Sequence, residues 1–310
     1  MIKKRMMLLL MMAVLLMGCS KPQTMEGKDI EILITRDFGK EMLDSKVLNF
    51  ISETTVMDMM EDYFDIETAY GGSFVNSIGG LRSGFTDEKS KKKMDWFYYI
   101  NGRFAEIGAA DYDILPGDII IWDYHDWSSE VRMTSIIGAY PNNFVNDLEG
   151  NRIPTIIQYA LGYEDEAKKI ADYLKAKGAD ISVSEGAAEG LGDEEGHTIL
   201  IAPWDEIRRN AAVEDIYKNR NKTGLFFEIE EQVQVLDFNN QPVQRYEKAA
   251  VIASVSKGYG SDGSLWMITG NDEGCIKEGA KLLYEKPESL KGAFSLMLTD
   301  KEVINLPGTK

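Results

Sequence analysis

Two histidines, two cysteines and one glycine-rich run are the features of this 310-residue chain whose types invite a chemical reading. His125 follows Trp122 and Tyr124 and precedes Trp127 at the end of an apolar strand. Imidazole there can bind cobalt or another metal, although a solvated histidine at a strand end is the plainer expectation. His197 opens a second apolar strand and is expected to be structural or exposed. Gly258-Tyr259-Gly260-Ser261-Asp262-Gly263 spells Gly-x-Gly-x-x-Gly. A dinucleotide site needs a strand before that motif and a helix opening at its end. Here a strand follows, so a hairpin loop is predicted. Thr269-Gly270-Asn271-Asp272 does stand between a strand and a helix, where free N–H groups can hold an anion or, more simply, receive an N-cap. No metalloprotease, nucleophile-elbow, phosphate-loop or Cys-x-x-Cys pattern occurs. The 51 acidic residues make any single carboxylate pair uninformative. No catalytic role and no metal site is assigned, and the chain is expected not to be an enzyme.

Cys275 is predicted on a helix face as a small buried hydrophobe. Cys19 reads differently. Lys3, Lys4 and Arg5 form a basic head, Met6 to Met17 run apolar, and Gly18 and Cys19 follow. A basic head, an apolar stretch and a small-residue cleavage site make an export signal. The run is too short for the ~20 residues a membrane-crossing helix needs. Leu16-Met17-Gly18-Cys19 resembles the lipobox of bacterial lipoproteins, which implies cleavage before Cys19 and lipid attachment to it. An ordinary secretory signal with an incidental cysteine is the alternative. Residues 1–18 are thus predicted to be a signal peptide and residues 19–28 a polar tether. The protein is expected to be extracytoplasmic, with membrane lipid as its first partner through Cys19.

The whole chain carries a net charge of −17, and removing the signal leaves 31 basic against 51 acidic residues, a balance of −20. So acidic a surface excludes nucleic acid as a partner, because nothing could neutralise a run of phosphates. Lys89 and Lys91 to Lys93 form a local basic run that a solvated loop explains. One cysteine left after lipidation allows no internal disulfide, so apolar cores must supply the stability.

The elements that would position these groups fall into two sets, parted by the polar stretch from Tyr140 to Asn151. Residues 29–140 read as an α+β domain. Asp29 to Thr35 is a β-rich run, Thr55 and Asp58 can cap a helix bearing Val56, Met59, Met60 and Tyr63, and Tyr70 to Gly80 is a glycine-bracketed strand. Trp96 to Ile100 is a strand that turns at Asn101-Gly102, and Pro116-Gly117-Asp118 turns the chain into Ile119 to Trp122. Residues 151–310 alternate strands and helices and read as a small α/β domain. Strands are predicted at Thr155 to Tyr159, Ile181 to Val183, His197 to Ile201, Leu225 to Phe238, Ala249 to Val255, Leu265 to Thr269 and Phe294 to Leu298. Helices are predicted at Glu164 to Lys177, at Asp205 to Asn219, and, capped by Asn271 or Asp272, through Ile276, Ala280 and Leu283.

The block from Trp96 through Asn101-Gly102, Gly108-Ala109-Ala110-Asp111-Tyr112 and Pro116-Gly117-Asp118 to Trp122 resembles the β-grasp domain at the C-terminus of transcobalamin and intrinsic factor. The Tyr70 to Gly80 segment is similar to a second element of that family. The resemblance implies one helix on a four- or five-stranded sheet over about a third of the chain. It also implies a ligand, cobalamin or a related corrinoid, contacted by Gly72, Ser73, Phe74 and Trp96, with Gly72-Ser73 standing where the family often has Gly-Pro. Tyr98 and Trp127 join these candidates because strand alternation puts Trp96 and Tyr98 on one face and the aromatic cluster gathers at the family's ligand-facing elements. The expected function is capture of that ligand outside the cell for a membrane importer. Resembling lipoproteins suggest an energy-coupling-factor transporter as partner. No resident cofactor is required. An envelope interaction module binding protein or glycan through its aromatic face is the alternative.

Overall fold

The computed structural model describes residues 28–86, 91–129, 131–145, 147–187, 190–191, 195–258 and 261–309. The predicted signal, Cys19, Lys89, Tyr259 and Gly260 lie outside the described residues. The fold is α+β.

In chain order the first half holds strands β1 (Ile30–Arg36) and β2 (Glu41–Leu48), helix α1 (Val56–Tyr63), and strands β3 (Ile66–Ala69), β4 (Phe74–Ile78), β5 (Leu81–Arg82), β6 (Met94–Ile100), β7 (Arg103–Phe104) and β8 (Ile119–Asp126). Five of these form a mixed sheet in the order β2-β1-β8-β6-β7, with β1 and β8 parallel at its centre. Helix α1 starts where the sequence says it should. The Thr55 side chain accepts from the Asp58 N–H, and the Asp58 carboxylate accepts from the Thr55 N–H, a complete capping box. Those bonds hold the Asp58 carboxyl below the usual carboxylate range. The face carrying Val56, Met59 and Met60 then packs on Ile30, Ile32, Ile34, Trp96, Tyr98, Ile100, Trp122 and Tyr124, the first core.

The two turns read from sequence clasp each other. Asn101 and Gly102 both take positive φ, as a two-residue hairpin requires. The Asn101 amide donates to the buried Asp118 carboxylate at 2.8 Å, while its oxygen accepts from the Ile119 N–H. Asp118 also accepts from the Tyr112 hydroxyl and the Leu115 N–H. Burial still raises its pKa, and these bonds oppose the rise.

The second half contains β9 (Pro154–Tyr159), α2 (Glu164–Ala176), β10 (Asp180–Glu185), β11 (His197–Ile201), α3 (Trp204–Ile207), α4 (Ala211–Lys218), α5 (Arg220–Thr223), β12 (Phe227–Ile229), β13 (Val233–Leu236), β14 (Pro242–Tyr246), β15 (Ala250–Ser256), β16 (Ser264–Gly270), α6 (Glu273–Glu285), β17 (Ser295–Leu298) and β18 (Val303–Leu306). Its main sheet runs β10-β9-β11-β16-β15-β17-β18, parallel through the first four strands and antiparallel beyond. Three expectations need correction. The helix predicted from Asp205 to Asn219 is broken after Ile207, where Asn210 caps a new start by accepting from Ala212 and Val213. The long strand predicted from Leu225 to Phe238 is a hairpin, because Glu230 to Gln232 interrupt its apolar run. Strands β2, β14 and β18 were not predicted; largely exposed or half-buried, they lack an apolar alternation. The Gly258–Gly263 stretch does join antiparallel β15 and β16, and Asp272 does cap α6 through the Cys275 N–H.

The two main sheets touch. Leu33, Phe38, Tyr99 and Ile121 of the first belong to the same apolar cluster as Ile199, Ile252, Trp266 and Phe294 of the second. Glycines permit the approach: a Cβ on Gly39 would stand 2.0 Å from the Gly292 carbonyl oxygen, and one on Gly138 2.6 Å from the Gly292 carbonyl carbon. The Gly292 N–H donates to the Gly138 carbonyl at 2.9 Å, sewing the seam.

His197 is a buried element of this core. Its Nδ1 accepts from the Ser264 N–H at 3.0 Å, so the proton resides on Nε2, which is buried without a partner among the described residues. Burial first, then the charges of Arg103 and Lys257, push its pKa down to about 3.

Two outcomes follow from this packing. Gly138→Ala forces a methyl against backbone that cannot rotate away, and should lower unfolding free energy by about 1–3 kcal/mol in a urea titration. The His197 ring binds a proton in the unfolded chain below its ordinary value of 6.5 but not in the folded one until pH falls to about 3. Its contribution to stability is therefore complete above 6.5 and drains away between 6.5 and 3. Urea midpoints taken across that window should fall more steeply for the native chain than for His197→Asn, whose amide oxygen can replace Nδ1.

Candidate functional site

Strand β8 has two faces, and they do different work. Ile120, Trp122 and Tyr124 point into the first core. Ile121, Asp123 and His125 alternate with them and point the other way. On neighbouring β6 the same alternation puts Trp96 and Tyr98 in the first core, and Asp95, Phe97 and Tyr99 beside Asp123 and His125. A cavity of about 780 Å³ opens against this second face. Its aromatic wall is Phe97, Tyr99, Phe104 and Trp127, and its polar members include Asp95, Glu106, Arg132 and His125.

The floor is organised by Asp123, which is fully buried. One carboxylate oxygen accepts from the Thr35 hydroxyl at 2.6 Å and the Gly39 N–H at 2.9 Å. The other accepts from the Phe38 N–H at 3.0 Å and meets His125 Nδ1 at 2.7 Å. Asp37, Phe38 and Gly39 all take positive φ in the β1–β2 turn. Such a run turns successive N–H groups toward one side, where an anion can satisfy them. For Phe38 that conformation is costly, and the carboxylate offsets the cost.

With its backbone so held, Phe38 reaches across the seam. Its ring stacks on His125 at 4.5 Å between centroids and meets Phe226, Phe238 and Phe294 of the second half. Phe97 covers the other face of His125 at 4.4 Å and 17°. Both imidazole faces are thus covered and Nδ1 is engaged, so the edge the ring presents to the cavity is the one bearing Nε2. Among the described residues no hydrogen bond reaches that nitrogen. In a neutral ring whose Nδ1–H donates to Asp123, the Nε2 lone pair is free.

Around this floor the charges are mixed. Asp95 stands directly opposite His125 in the β6–β8 register. Burial raises its pKa, against the pull of hydrogen bonds from the Trp96 N–H and the Ser83 side chain. The Lys93 ammonium lies 5.3 Å over the Trp127 ring at the exposed end, where Glu106 and Arg132 are also exposed. The Tyr99 hydroxyl is pushed well above its ordinary pKa by burial, so it remains a neutral phenol. Together these groups offer flat apolar area, a nitrogen lone pair at depth and charges of both signs at the rim. That combination suits a polar-fringed planar ligand.

The residues expected from sequence are not gathered in one place. Of Gly72, Ser73, Phe74, Trp96, Tyr98 and Trp127, Trp127 lines this cavity. Trp96 and Tyr98 do share a face, but α1 covers it: Trp96 Nε1 donates to the Leu81 carbonyl and the Tyr98 hydroxyl to that of Ile107. Gly72 and Ser73 lie in an exposed turn before β4, where the Ser73 hydroxyl donates to the Tyr70 carbonyl. Phe74 is half-buried and meets the exposed Tyr70 ring edge-on. His125 is not a solvated strand-end residue; it is 7% exposed. Asp123, Phe38, Phe97 and Tyr99 were missed. One signal was present, since an aspartate inside the apolar run Ile119 to Tyr124 is a residue type that strands disfavour. Cys275 is buried as expected, and burial pushes its thiol up to about 11. No group of three or more metal-ligating side chains occurs among the described residues.

Replacing Asp123 by Asn should test the floor. One amide oxygen cannot accept from four donors, and each buried donor left unpaired costs about 1–3 kcal/mol. The expected result is a large drop in urea midpoint together with loss of the single Nδ1–H tautomer of His125, read by nitrogen NMR of the ring.

Residues 53–126, from just before α1 to the end of β8, match the family described as "Domain of unknown function (DUF4430)". A crystal structure of a protein from Ruminococcus gnavus ATCC 29149, provisionally described as metal-binding, is 16% identical and covers 32% of this chain and 97% of its own, with a TM-score of 0.25. No curated protein matches.

Proposed function

We propose that this chain is an extracytoplasmic lipoprotein, held to the membrane through Cys19, that acts by binding rather than by catalysis. Its ligand is a corrinoid such as cobalamin or a related flat cofactor, which it hands to a membrane importer of the energy-coupling-factor type. The observation that carries this reading is the cavity of about 780 Å³ on the His125 face of the first sheet. Its volume lies in the range of about 300–1,000 Å³ that small-molecule sites occupy. Four aromatic rings supply apolar area for a planar body. Lys93, Glu106 and Arg132 supply donors and acceptors at the mouth for a ligand's polar fringe. The cavity also lies beside the seam between the sheets, where Phe38 couples His125 to the second half. The export signal and lipobox-like Cys19 support delivery outside the cell, and the acidic balance of the chain speaks against nucleic acid.

A second reading, an envelope interaction module, has one observation in its favour. Strand β2 is an edge of the first sheet, and Met42, Leu43 and Val47 on it are exposed. An open edge with apolar side chains can add a strand from a partner.

Calorimetric titration of the soluble chain with cobalamin and cobinamide separates the two. Micromolar or tighter binding is expected, weakened about tenfold, or 1.4 kcal/mol, by Phe97→Ala and left unchanged by Phe74→Ala. Absence of both heat and thermal stabilisation at saturating ligand would sink the corrinoid reading and leave the β2 edge to be pursued.

A further inference from the structure

Independently of what the cavity holds, we propose that β2 is a self-pairing edge. Two copies of this chain join their first sheets through it, antiparallel, about a two-fold axis at Ser45. Strand β2 ends its sheet, with β1 as its neighbour on one side. The Glu31 N–H donates to the Asp118 carbonyl, toward β8. Alternation along β1 therefore turns the N–H groups of Ile30, Ile32 and Ile34 toward their β2 partners Leu48, Lys46 and Asp44. The backbone groups of Ser45 and Val47, between those partners, point outward and form a template for another strand. Side chains along this edge are open as well: Val47 is 64% exposed, and Met42, Leu43, Asp44 and Ser45 are exposed.

What selects the occupant is the order of residues along the edge. Met42-Leu43-Asp44-Ser45-Lys46-Val47-Leu48 runs apolar, apolar, acid, serine, base, apolar, apolar. Read backwards, the order is the same with the two charges exchanged. Laid antiparallel on a second copy with Ser45 facing Ser45, each Asp44 meets a Lys46 and each Leu43 a Val47. The two-fold axis makes every such contact twice. The neighbouring registers, two positions to either side, set Asp44 against Asp44 or Lys46 against Lys46. Like charges directly opposite are unfavourable, so the edge specifies one register. A lone edge lysine guards a strand against pairing. Here Asp44 Oδ2 lies 3.4 Å from Lys46 Nζ within the strand, and the alternating signs turn that guard into a match for a second copy. The β1–β2 register skips Leu43, a bulge that twists one end of the edge, while Asp44 to Leu48 stay regular. Because each copy contributes the same edge, the contact closes on itself and yields a dimer.

The test uses the full chain in detergent, over rising concentration, read by sedimentation velocity. The native chain should pass from monomer to dimer. Lys46→Asp leaves two acids at the centre of the edge and Asp44→Lys leaves two bases. Each should weaken self-association about tenfold or more, and an equimolar mixture of the two should restore the dimer. Restoration by mixing also shows that both variants are folded. Ser45→Cys, in an otherwise native chain, should give a disulfide-linked dimer under mild oxidation. Directly opposed Cα atoms lie ~5.5 Å apart in such a pair, within the span a disulfide bridges. Val47→Cys, displaced from its own copy in this register, should not link above the background that the native chain sets for Cys19 and Cys275. A native chain that stays monomeric at every concentration, or a dimer indifferent to both charge variants, would overturn the proposal. Either result leaves the reading of the cavity standing.

Discussion

A single buried carboxylate, Asp123, ties together the parts on which this molecule depends. Taking a carboxylate out of water costs several kcal/mol unless hydrogen bonds replace its hydration. Here four donors do so: the Thr35 hydroxyl, the Phe38 and Gly39 amides, and the His125 ring. They come from β1, from the turn after it, and from β8 itself. The carboxylate therefore locks the parallel central pair of strands, fixes a left-handed turn, and orients an imidazole in one stroke. Removing it would leave several polar groups buried together, a heavier penalty than the loss of one contact.

What the turn accomplishes is union of the two halves. Phe38, set in a conformation that an ordinary side chain avoids, inserts between His125 and the rings of Phe226, Phe238 and Phe294. Gly39, Gly138 and Gly292 let the backbones close to hydrogen-bonding distance around it. Paired polar contacts flank the seam. Ser135 and Ser254 share a hydrogen bond of 2.6 Å, and Arg103 pairs with Asp262. The cavity sits next to this junction. His125 lines it and stacks on Phe38, so one side chain belongs both to the cavity wall and to the docking of the halves.

The first sheet divides its labour by face. On the side covered by α1, the Trp96 indole and the Tyr98 and Tyr124 hydroxyls donate to the backbone carbonyls of Leu81, Ile107 and Arg82, whereas the Trp122 indole N–H is buried without a partner among the described residues. The other side keeps Asp95 and the Nε2 edge of His125 next to open volume.

Much of the local structure was legible in the residues themselves, because local chemistry decides it. The Thr55–Asp58 capping box, the Asn101-Gly102 hairpin, the strand from Trp96 and the amphipathic helix from Glu164 all rest on groups a few positions apart. The alternation that separates Trp96 and Tyr98 from Phe97 and Tyr99 was equally plain, since strand pleating has a period of two. Which of those faces would be core was decided only in three dimensions, by where α1 lands and where the second sheet docks. Asp123 and His125 are partnered with Thr35, Phe38 and Gly39, more than eighty positions away, and neither spacing nor composition encodes such a meeting. Sequence periodicity sorts side chains into faces; burial, which assigns each face its role, depends on contacts between distant segments.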